Sequence, residues 1–408
     1  MSPISAQAVR RALLLRHEIA LLDLRHEGQF ATGHPLFAAN LALDRIDIEA
    51  EMRLPRNDVR IVLYDDGEGL VDAGTAALCA LGFTNVVALE GGLQGWRAAG
   101  YELFADVNSY SKAFGELVEA RRHTPSLAAE EVAALIASGA DIAIVDARRP
   151  SEYATMNIPG SASVPGAELV LRAAAAAPDP TTTVIVNCAG RTRSIIGTQS
   201  LINAGLPNRV VALRNGTIGW TLAGQTLEHG ADRHVPPADA ADARHRARGV
   251  AYRAGVRRID VEAATELACD DTRTLYRFDV RTVEEYAEGH IPGFRHYPGG
   301  QLVQETDMAA PVRGARILLA DDLGVRADMT ASWLAQMGWE VYALDGGCDG
   351  ALEQSALSVI PPLDPAHRYK RPYEGTDNAA AAMQAYLDWE YGLVTQLERD
   401  ASHGFFVI

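Results

Sequence analysis

Residues 144–160, IVDARRPSEYATMNIPG, join a short apolar run to an aspartate, an arginine two places on, an aromatic and an Ile-Pro-Gly turn. The stretch recurs in degenerate form: LLDLRHEGQFATGHP begins at residue 21 and FDVRTVEEYAEGHIPG at 278. Each copy reads apolar, Asp, any residue, Arg, then an aromatic, with the aspartates at Asp23, Asp146 and Asp279. A second apolar run follows each one, RIVLYDD at 60, TVIVNCAG at 183 and RILLADD at 316. The residues that open the next loop, Asp65, Cys188 and Asp321, each fall 42 places after their aspartate. One spacing kept three times marks an internal repeat.

Each copy then continues alike. An amphipathic helical stretch, GTAALCALGF, TQSLINAGLP or ASWLAQMGWE, leads into a short strand, VVALEGG, VVALRNG or EVYALDGG. Strands alternating with helices indicate parallel βαβ units, so the expected fold class is α/β, each module a parallel sheet flanked by helices. The copies are expected over 1–105, 124–232 and 256–362. Residues 232–250, DRHVPPADAADARHRARGV, are rich in Ala, Pro and charge without a sustained apolar period and read as a linker. From 363 to 408 the chain differs: HRYKRPYEGTD reads as an extended, basic and aromatic arm, and NAAAAMQAYLDWEYGLVTQLERD as one long C-terminal helix. Its apolar face, with Met383, Tyr386, Leu387, Leu393 and Leu397, is expected to pack on its own chain or in a homodimer.

Composition narrows the chemistry. In 408 residues with 48% hydrophobic content, a formal net charge of -16 argues against nucleic acid or an anionic membrane as partner. An anionic small substrate therefore needs a locally positive pocket. The first thirty residues have neither the pattern of a signal peptide nor that of a membrane span, and the expected location is cytoplasmic. Cys79, Cys188, Cys269 and Cys348 are far apart and form no CxxC pair, which disfavours structural disulfides and a zinc site.

Taken together, Asp146, Arg148, Glu152, Tyr153 and Ile158 to Gly160, the loop CAGRTR after a strand, and a closing G-x-x-G-W at Gly216 to Trp220 and Gly92 to Trp96 resemble the rhodanese-like sulfurtransferases. The resemblance covers three tandem modules and leaves out the tail. It implies that the Cys188 thiolate attacks the outer sulfur of thiosulfate or a related anionic donor, releases sulfite and holds the sulfur as a persulfide. Cyanide or a thiol acceptor then removes it, with neither metal nor organic cofactor. It also implies structural support roles: Arg148 pairing with a carboxylate such as Glu152, Trp220 and Trp96 packing, and Asp146 ending a strand.

The residues of the loop carry the same chemistry on their own terms. A cysteine between a strand and a helix faces free backbone N–H groups and the positive end of the helix dipole, which lowers a thiol pKa. Arg191 and Arg193 add charge that favours an exposed thiolate and attracts an anion. Ala189 and Gly190 let the backbone curl around the sulfur, and Thr192 and Ser194 offer hydroxyl donors, although Ser194 also suits a helix cap. Cys79, Cys269 and Cys348 lack such surroundings and read as incidental.

Copies one and three have aspartate at the cysteine position and are expected to be inactive modules. DDGEGL has no arginine, and DDLGVR keeps only Arg326. Copy two has Met156–Asn157 where the others have Gly33–His34 and Gly289–His290, so a histidine acting at the cysteine is ruled out there. Three other functions compete. A phosphatase of the same architecture needs five residues between cysteine and arginine, where this loop has Ser194 in the arginine's place. A persulfide carrier or partner-binding scaffold would not need the arginines. A 3-mercaptopyruvate sulfurtransferase of the family carries a loop with fewer arginines than CAGRTR.

Overall fold

The computed structural model describes residues 2–346, 348, 350, 352–354, 360–371 and 373–408. The three repeats form three sheets. In the central module the strand order is Ser126–Leu127, Val210–Leu213, Thr183–Asn187, Ile142–Asp146, Ala162–Ser163, all parallel. Asp146 lies in register with Asn187. From Ile142–Asp146 the next strand, Ala162–Ser163, adds on one side, and from Thr183–Asn187 the next, Val210–Leu213, adds on the other. The crevice beyond their carboxyl ends is thus a topological switch point, where open α/β sheets bind ligands. The third module repeats this order with Arg257–Ile259, Glu340–Leu344, Arg316–Ala320, Leu275–Asp279 and Arg295–His296.

The apolar runs are strands because both faces are covered, and they carry no polar alternation. Every residue of Ile19–Asp23, Ile61–Tyr64 and Arg316–Ala320 is buried. The first module differs at one edge, where Ile19–Asp23 pairs antiparallel with Val312–Arg313 of the third. Its outermost strand is reduced to a bridge between Ile4 and Leu89.

The D-x-R motif is a buried clasp repeated three times. Asp146 Oδ1 accepts the backbone N–H of Arg148 at 3.0 Å and its Nε–H at 2.9 Å, while Oδ2 accepts Nη2–H at 2.7 Å. Arg25 grips Asp23 and Arg281 grips Asp279 in the same way. Each arginine also caps a carbonyl eight residues on, Gly33, Met156 or Gly289. The expected Arg148–Glu152 pair is therefore corrected: Asp146 satisfies Arg148, and Glu152 serves another arginine.

The segment read as a linker contains a helix, Ala240–Arg253, capped by Asp239, with Ala243, Ala247, Val250 and Ala251 buried. Alanines four apart give too weak an apolar signal to read, yet they let the helix lie close against Leu169–Ala176 and Arg326–Gln336. All eleven residues of Arg326–Gln336 are buried, because this helix is wedged between modules. Its Trp333 Nε1–H donates to Ser200 Oγ at 2.9 Å in the central module. A further helix, Ser109–Arg122, joins the first two modules and packs on both Thr192–Asn203 and the C-terminal helix Ala379–Asp400. Leu387, Leu393 and Leu397 of that last helix are buried against their own chain. Among the described residues no helix is long and apolar enough to cross a membrane.

Candidate active site

Cys188 follows the strand Thr183–Asn187, and the helix Thr192–Asn203 begins four residues later. The intervening turn is fixed from outside. Thr217 N–H donates to the Cys188 carbonyl at 2.8 Å and Ile218 N–H to that of Ala189 at 2.9 Å. This close approach requires Gly216, whose φ is 54° and where a Cβ would stand 2.4 Å from the Cys188 oxygen. With the carbonyls of Cys188 and Ala189 engaged there, the sulfur meets the start of the helix through Ser194, by its hydroxyl and its backbone.

The other modules reveal what that side of the loop binds. At the cysteine position of the third, Asp321 Oδ1 accepts Gly324 N–H at 2.8 Å, and Oδ2 accepts Val325 and Arg326 N–H at 3.0 and 2.9 Å. In the first, Asp65 accepts Gly67 N–H at 3.1 Å and Leu70 N–H at 2.6 Å. The loop is an amide cradle for an anionic group whose atoms stand two bonds beyond Cβ.

Cys188 is 1% exposed, against the expectation of an open thiolate. Burial pushes its thiol up; the charge of Arg193 and hydrogen bonding with Ser194 pull it back, and Asp146 opposes them. The S–H donates to Ser194 Oγ at 3.4 Å, and the Ser194 hydroxyl donates in turn to the Arg191 carbonyl at 2.8 Å. Ser194 thus sits inside the helix facing the sulfur, and the side-chain capping role is corrected. Thr192 Oγ1 is buried without a partner.

The two arginines separate in function. Arg193 makes a two-point pair with Glu152, at 2.7 and 3.0 Å, and is the cation whose charge acts on the sulfur. Burial alone would raise the Glu152 carboxyl, but hydrogen bonds and charge from Arg193, with Arg148 behind, outweigh it and hold it at about 2. Arg191 is drawn away. Its Nε–H donates to Glu116 at 2.7 Å, Nη2–H to Glu116 and Glu119, and Nη1–H to Asn215 at 3.0 Å, with Tyr391 stacked 3.9 Å from its guanidinium. It still lines the cavity over Cys188, but its hydrogen bonds go to the helix Ser109–Arg122 and to Asn215.

Above the loop is a cavity of about 320 Å³ lined by Cys188, Ala189, Gly190, Arg191, Thr192 and Arg193. Its roof comes from elsewhere in the chain: Lys112 of the helix Ser109–Arg122, Gln304 and Glu305 of the third module, Arg371 and Tyr373 of the arm, and Tyr386 and Glu390 of the last helix. Sequence reasoning missed these residues. A signal existed for Glu390, an acidic residue within the stripe Leu387, Leu393, Leu397, and for the arm in its run of basic and aromatic residues. Trp220 is buried, and its Nε1–H donates to the Thr226 carbonyl at 2.9 Å. His34 and His290, opposite Asn157 in the repeat, stack on Phe30 and Tyr286 within their own modules.

A strand-to-helix loop at the carboxyl end of a parallel sheet, built three times and carrying a cysteine in the central copy, is the architecture of rhodanese modules. The family of the Rhodanese-like domain matches residues 6–99, 128–223 and 262–354, and the chain belongs to it. Over the full length of both chains it is 48% identical, with a TM-score of 0.96, to the crystal structure of a thiosulfate sulfurtransferase from Pseudomonas aeruginosa. A rhodanese-like domain from Anabaena sp. is 21% identical over 26% of this chain and 81% of its own, with a TM-score of 0.24. A Bacillus halodurans protein is 22% identical over 28% and 90%, with a TM-score of 0.24. The curated proteins offered no match.

Proposed function

We propose that the protein is a sulfurtransferase of the thiosulfate type, with Cys188 as the residue that carries sulfur as a persulfide. The observation that carries the reading is the cradle. Asp321 places a carboxylate, its oxygens two bonds beyond Cβ, among three amides, two of them on Oδ2, and the terminal sulfur of a Cys188 persulfide is also two bonds beyond Cβ. The same loop with cysteine is thus suited to hold that sulfur as an anion. The reading also draws on the 48% identity to the Pseudomonas aeruginosa enzyme.

In the first half-reaction Cys188 attacks the outer sulfur of thiosulfate, and its bond to the sulfonate sulfur breaks. The electron pair leaves with sulfite, which carries off the thiol proton as bisulfite, so no separate base is required. Arg193 steadies the anionic donor and the departing charge. In the second half-reaction cyanide or a thiol removes the persulfide sulfur. The modules with Asp65 and Asp321 are inert, their cradles filled by their own carboxylates.

The test is thiocyanate formation from thiosulfate and cyanide by the wild type and Cys188→Ala, with intact mass after thiosulfate alone. Turnover lost in the variant, and one added sulfur on the wild type only, is the expected result. No turnover and no added mass would overturn the reading.

A further inference from the structure

The cavity over Cys188 contains more unmet polar valence than thiosulfate transfer explains. Thr192, Gln304 and Glu390 all line it, and each has a buried side-chain oxygen, Oγ1, Oε1 and Oε2, without a hydrogen-bond partner in the protein. Buried polar atoms are nearly always paired, so three around one cavity are contacts held for a polar ligand. Glu390 stands out among them. It is 1% exposed, on the face of Ala379–Asp400 that otherwise packs with Leu387, Leu393 and Leu397. Its Oε1 accepts the Tyr386 hydroxyl at 3.2 Å, and its Oε2 lies above the cradle loop, 3.3 Å from where a Cβ on Gly190 would be.

A carboxylate is a poor ligand for an anionic sulfur donor. It is well placed for the opposite requirement, because a thiol acceptor must shed a proton before it can attack. Burial raises the Glu390 carboxyl to about 7, with Lys112 and Arg191 favouring its charge, Glu116 opposing it and Tyr386 donating to it. That range suits proton exchange at neutral pH. The roof restricts who can enter: Cys188 is 1% exposed beneath about 320 Å³ of space, which admits a small molecule and excludes a folded protein surface.

We propose that Glu390 is the general base of the sulfur-releasing half-reaction and that the acceptor it serves is a low-molecular-weight thiol. The inference rests on the Cys188 persulfide proposed above. The thiol proton passes to Glu390 Oε2, and the acceptor sulfur bonds to the outer persulfide sulfur. The bond from that sulfur to Cys188 Sγ breaks, and its electron pair returns to Cys188 as thiolate. The product is the persulfide of the small thiol.

The experiment separates the half-reactions in the full-length protein. Sulfur loading from thiosulfate is followed by sulfite release in a single turnover. Discharge of the loaded enzyme is then followed with glutathione, with sulfite at alkaline pH, which brings no proton, and with reduced thioredoxin. Glu390→Gln is expected to load within about twofold of wild type, to discharge to glutathione about 100-fold more slowly, and to discharge to sulfite within about threefold. Added formate is expected to restore part of the glutathione rate in Glu390→Ala, and Glu390→Asp to retain more of it than Glu390→Gln. Equal rates with glutathione for wild type and Glu390→Gln, or equal slowing with glutathione and sulfite, would overturn the base assignment and leave the persulfide reading intact. Thioredoxin discharging faster than glutathione would overturn the small-acceptor assignment. Failure of the wild type to load sulfur would overturn the persulfide reading itself, and this inference with it.

Discussion

Glu152 and Arg193 lie 41 residues apart and meet in a two-point ion pair, 2.7 and 3.0 Å, at the mouth of the Cys188 cavity. The pair divides one cation between the structure and the substrate. Arg193→Ala is expected to raise the KM for thiosulfate at least tenfold, through loss of a charge-assisted contact, and to move the acidic limb of the loading rate to higher pH. Steady-state kinetics across pH check both. Arg191→Ala is expected to act on stability first, since that side chain is bound to Glu116 and Glu119.

The same pair has a pH signature. The folded Glu152 carboxyl, at about 2, lies below its unfolded value of 4.5, so its contribution is complete above pH 4.5 and is lost as the pH falls towards 2. At neutral pH that linkage is on the order of 3 kcal/mol. Urea unfolding of Glu152→Gln is expected to show a smaller loss of stability between pH 5 and pH 3 than the wild type, because the amide takes up no proton on unfolding.

The three cradles predict an asymmetry between two substitutions. Cys188→Asp is expected to fold with a Tm within a few degrees of wild type and to be inert, because the carboxylate enters a site that the other modules already fill with one. Asp321→Ala leaves three buried amides without their acceptor and is expected to cost about 3 kcal/mol. Thermal melts of the two variants side by side decide it.

Thiol accessibility tests the roof. Cys79 and Cys269 are exposed and Cys188 is buried, so mass mapping after brief iodoacetamide treatment is expected to find the first two alkylated before Cys188. The double substitution Arg371→Ala with Tyr373→Ala is expected to speed alkylation of Cys188 several-fold and leave Cys79 unchanged. Equal Cys188 rates in the two proteins would show that the arm does not cover the site.

The D-x-R clasp is a prediction about stability alone. Arg148→Ala leaves Asp146 as a buried, uncompensated charge, and its cost is expected to be about 3–5 kcal/mol. The same change at Arg25 is expected to cost a comparable amount, because Asp23 is equally buried. Chemical denaturation compares them.

What could be read from the sequence was whatever depends on neighbours along the chain. The repeated D-x-R, the 42-residue spacing and the strand-loop-helix around Cys188 are local grammar, and they determined three parallel α/β modules with one cysteine cradle among them. The direction in which a long side chain turns is not local. Arg191 and Arg193 look equivalent in CAGRTR, but one finds Glu116 on an intermodule helix and the other Glu152 in its own module. Burial of Cys188 was hidden for the same reason: desolvation is set by what lies above the loop, and that cover comes from Gln304, Arg371 and Glu390, more than a hundred residues away in the chain. Pattern and spacing thus determined the modules and the cysteine; only tertiary packing decided how the cavity is closed, which charges line it, and that a carboxyl from the last helix approaches the loop at Gly190.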